Sequence, residues 1–145
     1  MKQYIGTKII QAEPKMRKVP AENCLADRGF EDGYKVIYPD GYESWSPKDV
    51  FEAAYREASG MNFGLAIEAA KMGKKIARAG WNGKNQYVEL GHDFSYIAPG
   101  GIPVRPVQHL DIGSQALVFV GTRGRQVGWL ASQADMLADD WMIVE

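Results

Sequence analysis

The sequence predicts an α+β protein: an antiparallel β-sheet with a packed N-terminal helix, preceded by a small separate α+β module. Three observations predict it. Short β-branched and aromatic runs are separated by tight turn signatures rather than by crossover helices, so neighbouring strands return antiparallel. Apolar residues at helical spacing occur in only a few places, and the repeated βαβ rhythm of a parallel sheet is absent. The pattern also stops at Ser59-Gly60 and begins afresh at Met61, which divides the chain into residues 1–60 and 61–145.

In the first module, Tyr4 to Ile10 has the β-branched content of a strand. The polar stretch from Glu13 to Asp32 contains Pro14 and Pro20, which are expected to break any regular element. Tyr34 to Tyr38 is a strand leading into the turn signature Pro39-Asp40-Gly41, and Tyr42 to Trp45 returns from it. Ser46-Pro47-Lys48-Asp49 reads as a helix start, with Ser46 as N-cap and Pro47 at the first helical position. Val50, Phe51, Ala54 and Tyr55 form its apolar face, and it is expected to stop near Ser59-Gly60. About 60 residues make a marginal core, so this module is expected to pack on the second or on another subunit.

In the second module, Asn62 caps a helix running from Phe63 to Met72, and Gly73 is its left-handed stop. Lys71, Lys74 and Lys75 gather at the C-terminal end, where cations complement the helix dipole. Ile76-Ala77-Arg78 is a strand, Gly80-Trp81-Asn82-Gly83 a tight hairpin turn, and Tyr87 to Leu90 the return. A Pro/Gly-rich excursion spans Pro99 to Pro106. Ala116 to Val120 is the most strand-like run in the chain, and Thr122-Arg123-Gly124-Arg125 turns it back into Gln126 to Trp129. Ser132 caps a short helical turn through Met136 and Leu137, and Trp141 to Val144 is a terminal strand.

The 145 residues carry 46% hydrophobic and 24% charged side chains, a globular balance, with a formal net charge of −1. That charge argues against a nucleic-acid polymer as partner but permits a small anion, which two or three local cations can hold. Cys24 is the single cysteine, so no internal disulfide is possible, and His92 and His109 do not have metal-ligand spacing. No metal or cofactor is expected. No apolar stretch is long enough for a membrane span, and the start Met1-Lys2-Gln3 lacks a signal-peptide core, so a cytosolic protein is expected.

Met61 to Ala69, followed by Lys74 to Arg78 and Gly80-Trp81-Asn82-Gly83, is similar to the start of a compact phage family. Trp129 to Leu137 and then Asp139-Asp140-Trp141 resemble its closing motif. The family is the second type of Thoeris anti-defence protein, the small sponges that phages use against TIR-based immunity. The resemblance implies a helix packed on an antiparallel sheet, assembly as a homotetramer, and a place in the cytoplasm of the infected host. It also implies sequestration of cyclic ADP-ribose isomers, with cyclic dinucleotides or trinucleotides of the CBASS system as a further ligand class. Residues 85–128 match only loosely, around Arg105-Pro106. The first module is similar to small phage proteins of unknown role at Gly33-Tyr34-Lys35 and Ser44-Trp45-Ser46-Pro47, and a fusion at Met61 is the simplest account.

A cyclic ADP-ribose needs an aromatic face for its adenine, and Trp81 at a hairpin turn can supply one worth ~1–3 kcal/mol. The plainer alternative is that Trp81 anchors the core. Asn82 is either a ligand contact or the left-handed residue of its turn. Arg105, beside Gly100-Gly101 and between Pro103 and Pro106, could hold phosphate oxygens. Ser132, Gln133 and Asp135 are ligand candidates by resemblance, although capping explains Ser132 and Asp135 without a ligand. His109 completes the candidates, its alternative being a surface or interface histidine. Trp129 and Trp141 read as core, and Arg123 and Arg125 as a solvent-facing tip.

Nanomolar competition with an immune receptor requires about −12 kcal/mol. A ligand of roughly 35 heavy atoms at about −0.3 kcal/mol per atom reaches ~−10 kcal/mol, so near-complete enclosure between subunits is expected. The resemblance of the two end motifs, in a chain with no metal cluster, nucleophile elbow or P-loop, makes a non-catalytic sponge the leading reading. A protein-interaction or virion-associated module is the alternative. A nucleotide hydrolase with Asp135 or Asp139 as base and His109 as acid is the third reading.

Overall fold

The computed structural model describes residues 1–3, 5–19, 29–81, 85–105 and 115–145. The chain divides into two compact units, Met1–Arg56 and Glu57–Glu145. Both combine antiparallel strands with short helices, as the sequence predicts.

In the first unit, β1 (Gln11–Pro14), β4 (Gly33–Ile37) and β5 (Glu43–Pro47) form a three-stranded antiparallel sheet in the order β1-β4-β5. A two-residue pair, β2 (Arg17–Lys18) and β3 (Phe30–Glu31), lies between β1 and β4 in sequence. Helix α1 (Lys48–Ala54) covers one sheet face. Phe51 stacks on Tyr34 at 4.1 Å and on Tyr55 at 4.9 Å, and Tyr34 Oη donates to Glu52 at 2.9 Å. Val36, 1% exposed, faces the same side as Tyr34.

Several expectations for this unit are corrected. Residues 5–10 carry no strand; the partner of β4 is the polar segment Gln11–Pro14. Its residues are all exposed, so its contribution is to pair the backbone of β4, and an edge strand tolerates Pro14 at its end. The Glu13 to Asp32 stretch is not free of regular structure, because β2 and β3 pair within it and Arg17 bridges Glu31 at 3.1 Å. Ser46 does not cap α1. It belongs to β5, opposite Tyr34, and Pro47 occupies the cap position without a side-chain hydrogen bond. The helix ends at Ala54 rather than near Gly60, since the Arg56 guanidinium donates to the carbonyls of Glu52 and Tyr55 and closes the last turn.

The second unit follows expectation more closely. Its five-stranded antiparallel sheet has the order β11-β10-β7-β6-β12, from β6 (Lys75–Arg78), β7 (Tyr87–His92), β10 (Gln115–Gly121), β11 (Gly124–Val127) and β12 (Trp141–Val144). Helix α2 (Phe63–Lys71) starts where Asn62 accepts a hydrogen bond from the Leu65 amide at 2.9 Å, and Gly73 beyond its end has φ +82°. Ala66, Ala69 and Ala70 are buried, so the helix approaches the sheet closely through small side chains. They pack with Ile76, Val88, Met61 and Trp141, the last fully buried. The Pro/Gly-rich excursion opens with the turn of a hairpin between β8 (Tyr96–Ala98) and β9 (Ile102–Val104), where Gly100 and Gly101 have φ +90° and +78°. The short α3 (Gln133–Met136) precedes β12. No helix among the described residues is long and apolar enough to cross a membrane.

Candidate functional site

The end of β6 and the residues around α3 meet through a charged network. Arg78 is the last residue of β6, and its register partner on β12 is Trp141. Its Nε donates to Asp140 Oδ1 at 2.8 Å, and its Nη1 donates to Asp135 Oδ1 at 3.0 Å. Asp140 also holds the start of the next turn. Its carbonyl accepts from Ala79 N–H at 3.1 Å and its Oδ2 from Gly80 N–H at 3.3 Å, while Trp81 N–H donates to the Arg78 carbonyl at 3.2 Å. The backbone leading into Trp81 is thus tied to both β6 and β12.

Trp81 itself is half-buried. Its ring makes edge contacts with Trp141 at 5.5 Å, Phe119 at 5.6 Å and Trp129 at 6.1 Å. Phe63 lies 5.4 Å from Trp141 as well. Edge-to-face geometry between rings at these separations adds attraction beyond area burial. The core-anchor reading of Trp81 therefore describes its contacts, and part of its surface remains open to solvent. Trp129 is half-buried and Trp141 fully buried, as the sequence predicts for core residues.

Ser132 and Asp135 form a complete capping box. Ser132 Oγ accepts from the Asp135 amide at 3.1 Å, and Asp135 Oδ2 accepts from the Ser132 amide at 3.1 Å and hydroxyl at 2.7 Å. With Oδ1 on Arg78, both oxygens of Asp135 are engaged. Its carbonyl accepts from the Trp141 indole N–H at 2.8 Å, which anchors the largest buried side chain to α3. Burial drives the Asp135 carboxyl upward, but hydrogen bonds from Ser132 and Arg78 outweigh it and leave it below the usual carboxylate value. The hydrogen bond from Arg78 does the same for Asp140. These two aspartates in turn raise the Arg78 guanidinium.

The structure thus brings Trp81, Ser132, Gln133 and Asp135 to one end of the sheet. Gln133 is the exposed first residue of α3. Arg105 follows β9 and is exposed, on the separate two-stranded hairpin. Asn82 and His109 lie outside the described residues. Arg78 and Asp140, which build this end of the sheet, were not singled out in the sequence. The available signal was a buried-strand arginine with aspartates elsewhere, too common a pattern to pair residues 57 and 62 positions apart.

A five-stranded antiparallel sheet bearing one helix and a braced tryptophan turn is the architecture of residues that match a known domain. The Thoeris anti-defense 2-like domain matches residues 61–144, and the chain belongs to that family. One relative, Thoeris anti-defense 2 of Bacillus phage SP01, is 33% identical over 85 residues, covering 58% of this chain and 94% of that protein. The resemblance carried by the two end motifs is therefore confirmed, and membership places this chain among phage anti-defence proteins.

Proposed function

We propose that residues 61–145 bind and sequester a nucleotide immune signal of the cyclic ADP-ribose class and release it chemically unchanged. Cyclic oligonucleotides of the CBASS type are a further ligand class for the same unit. The observation that carries this reading is the half-exposed Trp81 ring on a turn held by Asp140 and Arg78. A planar surface fixed in advance loses little entropy when a base stacks on it. Ser132 and Gln133 lie at the same end of the sheet, and Asn82, Arg105 and His109 are assigned to the ligand with them. Asp135 acts by holding Arg78 and the start of α3 in place.

The same geometry argues against hydrolysis at this end of the sheet. A general base works best with a pKa near the operating pH, and Asp135 is shifted the other way with both oxygens engaged. A unit of this size encloses such a ligand best between subunits, so a homotetramer is the proposed assembly, acting in the cytoplasm of the infected host. The test is to incubate the full chain with a cyclic ADP-ribose isomer, heat-denature it, and analyse the supernatant. Intact ligand in stoichiometric yield is expected. A linearised or cleaved product would overturn the reading. Native mass spectrometry of the same complex reads the number of subunits and ligands.

A further inference from the structure

The unit Met1–Arg56 contains a groove of its own. Lys15, Met16, Arg17, Lys18, Lys35, Glu43, Ser44 and Trp45 line an open volume of about 500 Å³. That is the size range of small-molecule sites. Four of these side chains are cationic and one is acidic. Residues 1–56 carry nine cationic and nine acidic side chains, and four of the nine cations line this groove. Of the four cations, Lys35 pairs with Glu43 at 2.9 Å and Arg17 with Glu31 at 3.1 Å. Lys15 and Lys18 have no carboxylate partner among the described residues. Glu13, opposite Lys35 in the β1–β4 register, adds a second acid to this sheet face.

The backbone that carries these cations is held in place. The Lys15 amide donates to the Gly33 carbonyl at 2.8 Å, and its own carbonyl accepts from the Trp45 indole N–H at 2.7 Å. The Val19 amide donates to Gly29 at 2.9 Å, and between them Lys18 pairs with Phe30 in the β2–β3 ladder. The Arg17 guanidinium lies 4.0 Å from the centre of the Trp45 ring, a cation–π contact that fixes its plane. Trp45 in turn lies against Gly33, where an added Cβ would come within 2.2 Å of its ring. A planar guanidinium beside two ammonium groups that meet no carboxylate among the described residues suits an anion with several oxygens.

We propose that this groove is an anion site for a phosphate group carried by a small molecule, with Arg17, Lys15 and Lys18 as the recognising cations and Lys35 at its border. The balanced charge of the unit disfavours a long nucleic acid, whose affinity depends on many such contacts. The groove belongs to the first unit and the Trp81 turn to the second, and the test reads the two separately.

Full-length protein is titrated calorimetrically with pyrophosphate and with adenosine diphosphate at low salt. Binding of either is expected, and it should weaken by on the order of tenfold as salt rises toward 0.2 M, because an open groove is well screened. Tighter binding of the nucleotide makes the source a nucleotide, and equal binding makes it the phosphate group alone. Arg17→Ser/Lys18→Ser should lower affinity at least about tenfold, while the Trp81→Ala protein keeps it. Lys18→Glu, at an exposed position that does not threaten the fold, should abolish it. Neither probe binding at low salt, or binding retained in Lys18→Glu, would overturn the proposal. Cyclic ADP-ribose binding in the Lys18→Glu protein reads the other site separately.

Discussion

Among the described residues, Met1–Arg56 buries one large hydrophobic side chain, Val36, whereas Glu57–Glu145 buries nine hydrophobic residues. The first unit compensates with contacts nearer to water. Tyr34, Phe51 and Tyr55 stack on one side of its sheet, and Arg17 covers Trp45 on the other. The second unit places alanines of α2 against Ile76, Val88 and Trp141 and closes its end with an ion-paired cap. A dry core tolerates a half-exposed tryptophan at its rim. A sheet with one buried valine depends instead on how its surface rings are braced.

The largest expected effect comes from breaking the drier core. Trp141→Ala removes a side chain with no exposed surface together with its hydrogen bond to α3, and should cost about 3–5 kcal/mol. Urea unfolding of the Glu57–Glu145 unit, followed by amide exchange of β6 and β12, measures it. A loss below about 1 kcal/mol would show that the ring is not the keystone of that core.

Trp81→Ala should weaken cyclic ADP-ribose binding by ~1–3 kcal/mol while the unit still melts cooperatively. Calorimetry beside a thermal melt separates the roles. Unchanged affinity with a lowered melt would reduce Trp81 to a packing residue. In the first unit, Gly33→Ala sets a methyl against the Trp45 ring at 2.2 Å and the Ser46 carbonyl at 2.4 Å. Overpacking should cost about 1–3 kcal/mol, and displacement of Trp45 should shift its fluorescence. Tryptophan emission compared with a Trp45→Phe background reads this directly.

The smallest effect concerns acid. Asp135 and Asp140 are both held below their ordinary value of 3.8 in the folded state. A depressed folded-state pKa contributes stability that is complete above the unfolded value and is lost as pH falls through the folded one. The second unit should therefore weaken below about pH 4, and Asp140→Asn should make that decline shallower. Stability measured from about pH 5 down to pH 2 tests it, and identical slopes would remove the ion pairs from the account.

How legible the fold was depended on the range of the interactions. Helix α2 could be read because Asn62 and Gly73 act within one turn of its ends. The Ser132–Asp135 box is equally local, and so was its capping alternative. The Tyr4 to Ile10 strand was misplaced because β-branched composition does not say which segment β4 will accept as its edge. Ser46 was misread for the same reason: pairing with Tyr34 in the sheet outweighed its preference for a cap. Resemblance pointed to Trp81, Ser132, Gln133 and Asp135, which the fold brings to one end of the sheet, and not to Arg78 and Asp140, which brace that end.

By itself, then, the sequence determined the α+β class, the caps of α2 and α3, and membership of the anti-defence family. These follow from short-range periodicity, turn chemistry and two motifs. Only the tertiary structure decided that Asp135 faces Arg78, that Asp140 steadies the Trp81 turn, and that Lys15, Arg17, Lys18 and Lys35 converge on one groove. Each of these depends on which strands pair and in what register, and that is settled between segments distant in the chain rather than by any one residue's neighbours.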